Sequence, residues 1–517
     1  MNEFNKASYG AVNDPKMVLQ HGKKQELQRT LSAFATFGLA FSNIGILSNT
    51  SATFQTVLQR GGPVTMLLCW NIAAVFMICV ALSLAETCSM YPESGGLYYW
   101  VFELVHNRSN SKTKAATSAF VTGWSYYFGN IIATSANNVT VGKDMVGVTL
   151  KSNNIKIALS IGSILNLLTG VHLDKVLIMM IALVVTGLHA YLNIRSLHCL
   201  SILNQWNVFW SIAGLTIIIA ALSIFAPHQN SMWVFTHYEN GTGFDNTFYV
   251  FVLAMIGPAY SLFGCECAAS VNEETQDADI SSPIAIVGSI VTAWAVGLVL
   301  LIVLLFSIQN MDSILNTSFD MPVAQLFQDA IGTWGTLGFL IMVVICQFCT
   351  GATTMTVASR QVYALARDNA APMSPCLKYI NAYRLPENAV ALTFALICLI
   401  TLPFPLSAHL FETIVSATTI TIHFSYAMVL GCRLLDSGKK KGRFHLGKWS
   451  YFINVLAFTW TAFAVCAFML PTSWPITWDN ANYSGVAFAM VTMLTALFWF
   501  TWGRRYYHGP LETNDDI

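Results

Sequence analysis

The chain has 517 residues, 55% of them apolar and 10% charged, with 26 basic and 26 acidic side chains and a mean hydropathy of +0.56. That balance lies outside the range of water-soluble domains and leaves no net charge with which to hold nucleic acid or an acidic partner. The charges are confined to short segments between apolar runs of about 20 residues, each long enough to cross a hydrocarbon core of about 30 Å, which predicts a polytopic membrane protein.

The first 30 residues are polar and read as a cytosolic tail without a cleavable signal, because the first apolar run is too long and no small-residue cleavage site follows it. Twelve apolar runs then occupy 31–58, 64–88, 118–146, 174–194, 202–226, 247–270, 284–308, 333–357, 388–405, 409–432, 449–470 and 482–503. The stretch 155–171 is apolar but short and interrupted by Asn166, so it reads as an interfacial or loop helix; counted as a span it would make thirteen.

The first run is interrupted near its middle by "FSNIGILSNTSATF", which sets Ser42, Asn43, Ser48, Asn49, Thr50, Ser51 and Thr53 among Leu, Phe and Ala. Such side chains compete for backbone hydrogen bonds. In the third run Asn130 and Thr134 share one helix face at i and i+4, either lining a pathway or acting as polar glue between helices. Glu86 and Glu103, near the end of the second run and in the loop after it, read as capping or gating partners of Arg or Lys.

The sixth run carries Gly257-Pro258, where proline removes a donor and clashes with the preceding turn, followed by Gly264 and Glu266. The helix is expected to break there. Unsatisfied backbone groups cost several kcal/mol in hydrocarbon, so broken helices are tolerated only where they are buried in protein or line a cavity. Runs one and six are the equivalent members of two five-helix halves, and breaks in corresponding positions mark transporters built from inverted repeats. Half-helix N-termini then present amides to a substrate carboxylate, and C-termini present carbonyls to an ammonium group or a coupling cation.

Glu266 costs at least about 2.5–3.5 kcal/mol to place in a span. It reads as a residue that neutralises a substrate cation or carries a proton; the alternatives are a structural acid hydrogen-bonded across helices and an acid close to the cytoplasmic mouth. His423, in the tenth run, reads as structural or as a proton relay. Cys346 and Cys349 form a C-x-x-C spacing within a span, without a second pair or nearby histidines, and read as small apolar packing, as do Cys265 and Cys267. None of the twelve cysteines falls in the base-free loops at 227–246, 309–332 and 471–481, so no disulfide framework is expected.

Orientation follows from Lys and Arg, which cytoplasmic loops retain. With the N-terminus inside, the internal loops carry Arg108, Lys112 and Lys114, then Arg195, then Arg360, Arg367, Lys378 and Arg384, then Arg433, Lys439, Lys440, Lys441, Arg443 and Lys448, with Arg504 and Arg505 after the last run. The exceptions are Arg60 and the segment between Lys143 and Lys175, and the internal loop 271–283 has no base. Sequons at Asn240 and Asn316 fall in loops assigned to the outside.

The motifs "RGGP", "SLAETCSMYPESGGLYYWV", "FGCE" with "EET" and a later Pro, "ASRQVYALARDNAAPMSP", "LGKWSYFIN" and "GRRYYHGP" together resemble the amino acid, polyamine and organocation transporters, in particular the branch of fungal amino-acid, GABA and choline permeases and plant bidirectional amino acid transporters. The resemblance runs nearly end to end. It implies an all-α membrane fold of twelve helices with a five-plus-five inverted repeat and broken helices one and six, alternating access, and no enzyme activity. Mapping the family's G-S-G break onto this chain implies an unwound segment at Leu47, Ser48 and Asn49, and F-x-G-x-E implies a second from Tyr260 to Glu266, with Tyr260 packing over substrate. Both glycines of the first motif are replaced, by Leu47 and Asn49; the branch usually has aspartate at Glu266 and histidine at Ser270, and bases where this chain has "QDADISS".

The candidate substrate-binding set is Gly45, Ile46, Ser48, Asn49, Thr50, Asn130, Tyr260, Phe263, Gly264 and Glu266, with Glu266 and His423 as candidate proton carriers and no catalytic or metal-binding residue. The expected organisation is a cytosolic tail at 1–30, a transporter domain at 31–503 with repeats at 31–226 and 247–432 and two further helices at 449–503, and a cytosolic tail at 504–517. The expected function is a permease for a small amino acid or amine such as GABA, with proton coupling, in the plasma membrane or else a vacuolar or other internal one. No cofactor and no nucleic acid is expected. A choline or organocation permease is the alternative, and a non-transporting nutrient sensor is the alternative from another class; the short tails count against the sensor.

Overall fold

Ser32 starts the first helix: its hydroxyl oxygen accepts from the Ala35 amide at 3.2 Å, capping one of the amides that a helix start leaves unpaired. The computed structural model describes residues 31–93, 95–146, 175–195, 197–317, 319, 321–381, 383, 385–406, 410–436, 440–478 and 480–510. The tail at 1–30, residues 511–517 of the second tail and the stretch 155–171 lie outside the described residues. Among the described residues the regular structure is helical, apart from two isolated bridges, Leu31 with Thr275 and Arg60 with Asn240.

The main helices are α1 (Ala33–Ile44), α2 (Ile46–Gln59), α3 (Gly62–Met90), α4 (Leu97–Ser109), α5 (Lys112–Val146), α6 (Lys175–Arg195), α7 (Leu197–Phe225), α8 (Thr247–Ala254), α9 (Ile256–Ser261), α10 (Ala278–Phe306), α11 (Thr333–Arg367), α12 (Glu387–Thr401), α13 (Leu410–Leu434), α14 (Ser450–Ala467) and α15 (Ser484–Phe498). Among the described residues, nine helical segments are long and apolar enough to cross a membrane. The other three expected runs are helical too, but the first is split into α1 and α2, α5 is diluted by polar residues, and α12 has only 15 residues. α4, a helix after the second run that is buried over its first half, is an element the sequence reading did not include.

Burial separates the centre of the bundle from its rim. The segment Thr247–Glu274 is 83% buried over its most apolar window and α13 is 78% buried, whereas Ser484–Tyr506 is 17% buried. The rim exposes large apolar side chains, among them Trp206, Phe209, Ile217 and Ile224 on α7, which suits hydrocarbon as the solvent. Around the centre α3 packs on α10, and α5 packs on both α11 and α13. Trp70 on α3 donates to the Trp294 carbonyl at 3.2 Å, and the Trp294 indole donates back to Asn71 at 3.2 Å.

The ends of the first and sixth runs meet head to tail. The Leu31 amide donates to the Glu274 carbonyl at 2.9 Å, and the Gly241 amide donates to the Gln59 carbonyl at 2.9 Å. The two interrupted segments therefore lie antiparallel, which places their breaks at the same depth.

Candidate functional site

The first break is one residue wide. Gly45 takes φ +56°, ψ +47°, a left-handed conformation, and a Cβ there would lie 2.6 Å from the Thr350 hydroxyl on α11. Only glycine fits without strain. The break lies two residues before the segment expected from the motif mapping: Leu47, Ser48 and Asn49 form the first turn of α2. Asn49 explains the difference, because its Nδ2 donates to the Ile44 carbonyl at 2.9 Å while its amide closes the first helical bond to the Gly45 carbonyl at 2.9 Å. Thr350 donates to the Ser42 carbonyl at 2.8 Å. The break leaves the Asn43 carbonyl and the amides of Ile46, Leu47 and Ser48 without an acceptor or donor in either half-helix.

The second break opens further on than proline alone suggests. Pro258 lies in the first turn of α9 and ends α8 at Ala254, the residue whose carbonyl its ring would meet. The chain unwinds at Leu262–Gly264, where Gly264 takes φ +101°, and continues as a 3₁₀ stretch, Cys265–Glu274, kinked at Val271. The two breaks are tied together. Asn43 Nδ2 donates to the Gly264 carbonyl at 2.8 Å, and Asn43 Oδ1 accepts from Thr354 on α11 at 3.1 Å.

Glu266 is 2% exposed and bridges three elements. Its Oε1 accepts from the Tyr126 hydroxyl of α5 at 2.9 Å, and its Oε2 accepts from the Tyr426 hydroxyl of α13. Tyr426 also accepts from the Gly264 amide at 3.2 Å. The acid is thus hydrogen-bonded across helices, the structural alternative named for it, and it holds the second break against α5 and α13.

The remaining candidates divide. Tyr260 and Phe263 are buried at the second break with their rings edge to face, 5.5 Å between centroids. Asn130 is buried on α5, but its Nδ2 donates to the Tyr126 carbonyl of its own helix at 2.9 Å, and Thr134 donates to the Asn130 carbonyl at 2.7 Å. His423 Nδ1 donates to the Thr419 carbonyl at 2.8 Å, its Nε2 is buried without a partner, and its ring lies 5.8 Å from that of Tyr426. Asn49 Oδ1, Thr50 Oγ1 and Ser261 Oγ are also buried and unpartnered, so polar atoms lacking a partner accumulate on the elements that meet at the breaks.

The sequence reading left Asn43, Tyr126 and Tyr426 out of the site. Asn43 was visible as a polar interruption of the first run. Nothing local marked the tyrosines, since each meets Glu266 from more than a hundred residues away.

The two ends of the bundle differ. At one, Arg360 meets Glu274 at 3.4 Å, Arg367 meets Glu273 at 3.0 Å, Arg433 meets Glu86 at 3.4 Å, and Tyr98 donates to Asp368 at 2.7 Å. At the other, a cavity of about 170 Å³ reaches down to Thr53 of α2 and Ile256 of α9, one turn from Thr50 and Tyr260.

The family described as amino acid permease matches residues 31–495 of this chain. The amino-acid permease BAT1 of Arabidopsis thaliana is 30% identical over 505 residues, covering 95% of this chain and 95% of that protein. The GABA-specific permease of Saccharomyces cerevisiae is 28% identical over 533 residues, 98% of this chain and 87% of that protein. The choline transporter of the same organism is 25% identical over 514 residues, 97% of this chain and 86% of that protein.

Proposed function

This chain belongs to the amino acid permease family, a family of transporters and not of enzymes, and we propose that it carries a small amino acid or amine such as GABA across a membrane by alternating access. The observation that carries the reading is the pair of opposed breaks at Gly45 and Gly264, ringed by buried polar atoms without partners. The amides of Ile46, Leu47 and Ser48 suit a carboxylate, and the Asn43 carbonyl with Asn49 Oδ1 and Thr50 Oγ1 suits an ammonium group. Tyr260 and Phe263 supply the apolar wall.

The twelve helices form two inverted repeats, 31–226 and 247–432, consistent with the antiparallel course of the two broken segments. The end rich in Lys and Arg faces the cytosol with both termini, and the protein resides in the plasma membrane. Ion pairs close that end while the opposite cavity leads toward the breaks, an arrangement that suits an outward-facing state. Glu266 and His423 are the candidate proton carriers. Similarity to a choline transporter keeps an organocation permease as the second reading.

The test is uptake of labelled GABA, choline, glutamate, arginine and alanine into yeast lacking its own permeases, at acidic and neutral pH. Accumulation of an amino acid, faster at acidic pH, is the expected outcome. Wild-type protein at the cell surface that moves none of them would refute the proposal.

A further inference from the structure

At the end of the bundle where Arg433 meets Glu86, α4, α5 and the last turn of α13 enclose a groove of about 670 Å³. Its floor is apolar, formed by Leu104 and Val105 of α4 with Cys432 and Leu435 from the end of α13, and Leu435 is exposed there. Its rim is basic. Asn110, left-handed at φ 48°, turns α4 into α5 and brings Arg108 and Lys114 to the same groove. Both bases are exposed, and neither has an ion pair or a side-chain hydrogen bond among the described residues. No carboxylate lines the groove among the described residues, and the acids nearest to it in sequence lie elsewhere: Asp436 pairs with Arg433 at 2.9 Å, and Glu103 lies by Tyr91 and Tyr99. The third apolar run begins at Ser118 and the tenth ends at Cys432, and both residues line the groove, so it straddles the edge of the hydrocarbon.

We propose that this groove is a binding site for the headgroup of an anionic phospholipid. The phosphate sits between Arg108 and Lys114, where a guanidinium offers paired donors and an ammonium group a compact charge, and the Thr113 hydroxyl adds a donor at the same rim. The glycerol and the first carbons of the acyl chains lie on Leu104, Val105, Cys432 and Leu435. That apolar floor favours a lipid over free phosphate, which would leave it uncovered. Basic pockets between membrane helices on the cytosolic side take anionic headgroups by the same chemistry, and the site rests on the permease reading only for which leaflet it faces. A lipid held there braces α4 against α5 and α13.

The test uses the full chain in neutral detergent micelles doped with phosphatidylserine or phosphatidylcholine, with lipid retention read by native mass spectrometry and stability by thermal melting. Wild type is expected to retain phosphatidylserine in preference to phosphatidylcholine and to melt higher with it. Arg108→Gln and Lys114→Gln should each weaken that retention about fivefold, and the pair about twentyfold, while melting without anionic lipid stays as in wild type because both side chains are exposed. Lys441→Gln with Lys448→Gln, which removes two exposed bases lining a different cleft at the same end, should leave retention unchanged. Arg108→Lys, which keeps the charge, should retain more lipid than Arg108→Gln. Equal retention of the two lipids by wild type would overturn the site, and equal losses in the two double variants would reduce it to diffuse surface attraction. Glycerophosphate that raises the melting temperature as much as phosphatidylserine does would show a site for soluble phosphate and overturn the lipid. None of these readouts involves transport, so a failure of the permease reading leaves them unchanged.

Discussion

Glu266 shows how one side chain is read differently by sequence and by fold. The sequence marks it as costly, and the fold answers that cost with two tyrosine hydroxyls, so that both oxygens accept a hydrogen bond. Replacing it by glutamine turns one acceptor into a donor facing a donor. Glu266→Gln is therefore expected to lower stability by about 1–3 kcal/mol and uptake by at least about tenfold, read as a fall of the melting temperature in detergent and as initial transport rate. Tyr426→Phe and Tyr126→Phe should each reproduce part of the stability loss, and a double-mutant cycle with Glu266→Gln should show coupling. Additive losses would mean that the tyrosines do not serve the acid. That Glu266 is unusual was legible in the sequence; that it serves as a tether was not, because its partners stand on two other helices.

At the scale of elements, the breaks were legible and their positions only in part. Polar side chains in the first run announced an interruption, but the motif mapping set it at Leu47–Asn49, and the left-handed residue is Gly45. Asn49 decides this, since its side chain satisfies the Ile44 carbonyl and lets α2 start early. Gly45→Ala and Gly264→Ala should each cost about 1–3 kcal/mol, because both force a Cβ into positive φ and to 2.6 Å from a neighbour, Thr350 in one case and Asn43 in the other. Gly187→Ala on α6, where an added Cβ meets nothing within 4 Å, should be neutral or stabilising by up to about 1 kcal/mol. Thermal melting of the three variants checks the set; equal losses at all three would remove the special role of the breaks. Asn43→Ala should slow uptake more than it lowers stability, because it cuts the link between the two broken helices.

At the scale of the whole molecule, the alternating access proposed above requires one end to open while the other closes. Arg360 and Glu274 form a buried pair at 3.4 Å in which Arg360 Nη1 and Glu274 Oε2 lack partners, an imperfect contact suited to being broken and remade. Arg360→Gln leaves a buried carboxylate uncompensated and should cost about 3–5 kcal/mol. It should also loosen that end. Cys88 is buried beside Asn272, two residues from Glu274, so in a chain whose exposed Cys199, Cys376 and Cys466 are changed to serine, Arg360→Gln should speed reaction of Cys88 with a polar thiol reagent. An unchanged labelling rate would show that the pair does not hold the end shut.

The sequence by itself determined the membrane class, the apolar runs, the two interrupted segments and the resemblance to a permease family, because hydropathy, proline and glycine act over a few residues and are written locally. Only the tertiary structure decided which atoms meet at the breaks. Asn43 reaches Gly264, two tyrosines reach Glu266, and Arg60 and Lys143 come to line one cavity with Glu412. Each of these contacts joins groups far apart along the chain. A buried polar group needs a partner wherever packing can bring one, and nothing in the local sequence names the helix that brings it.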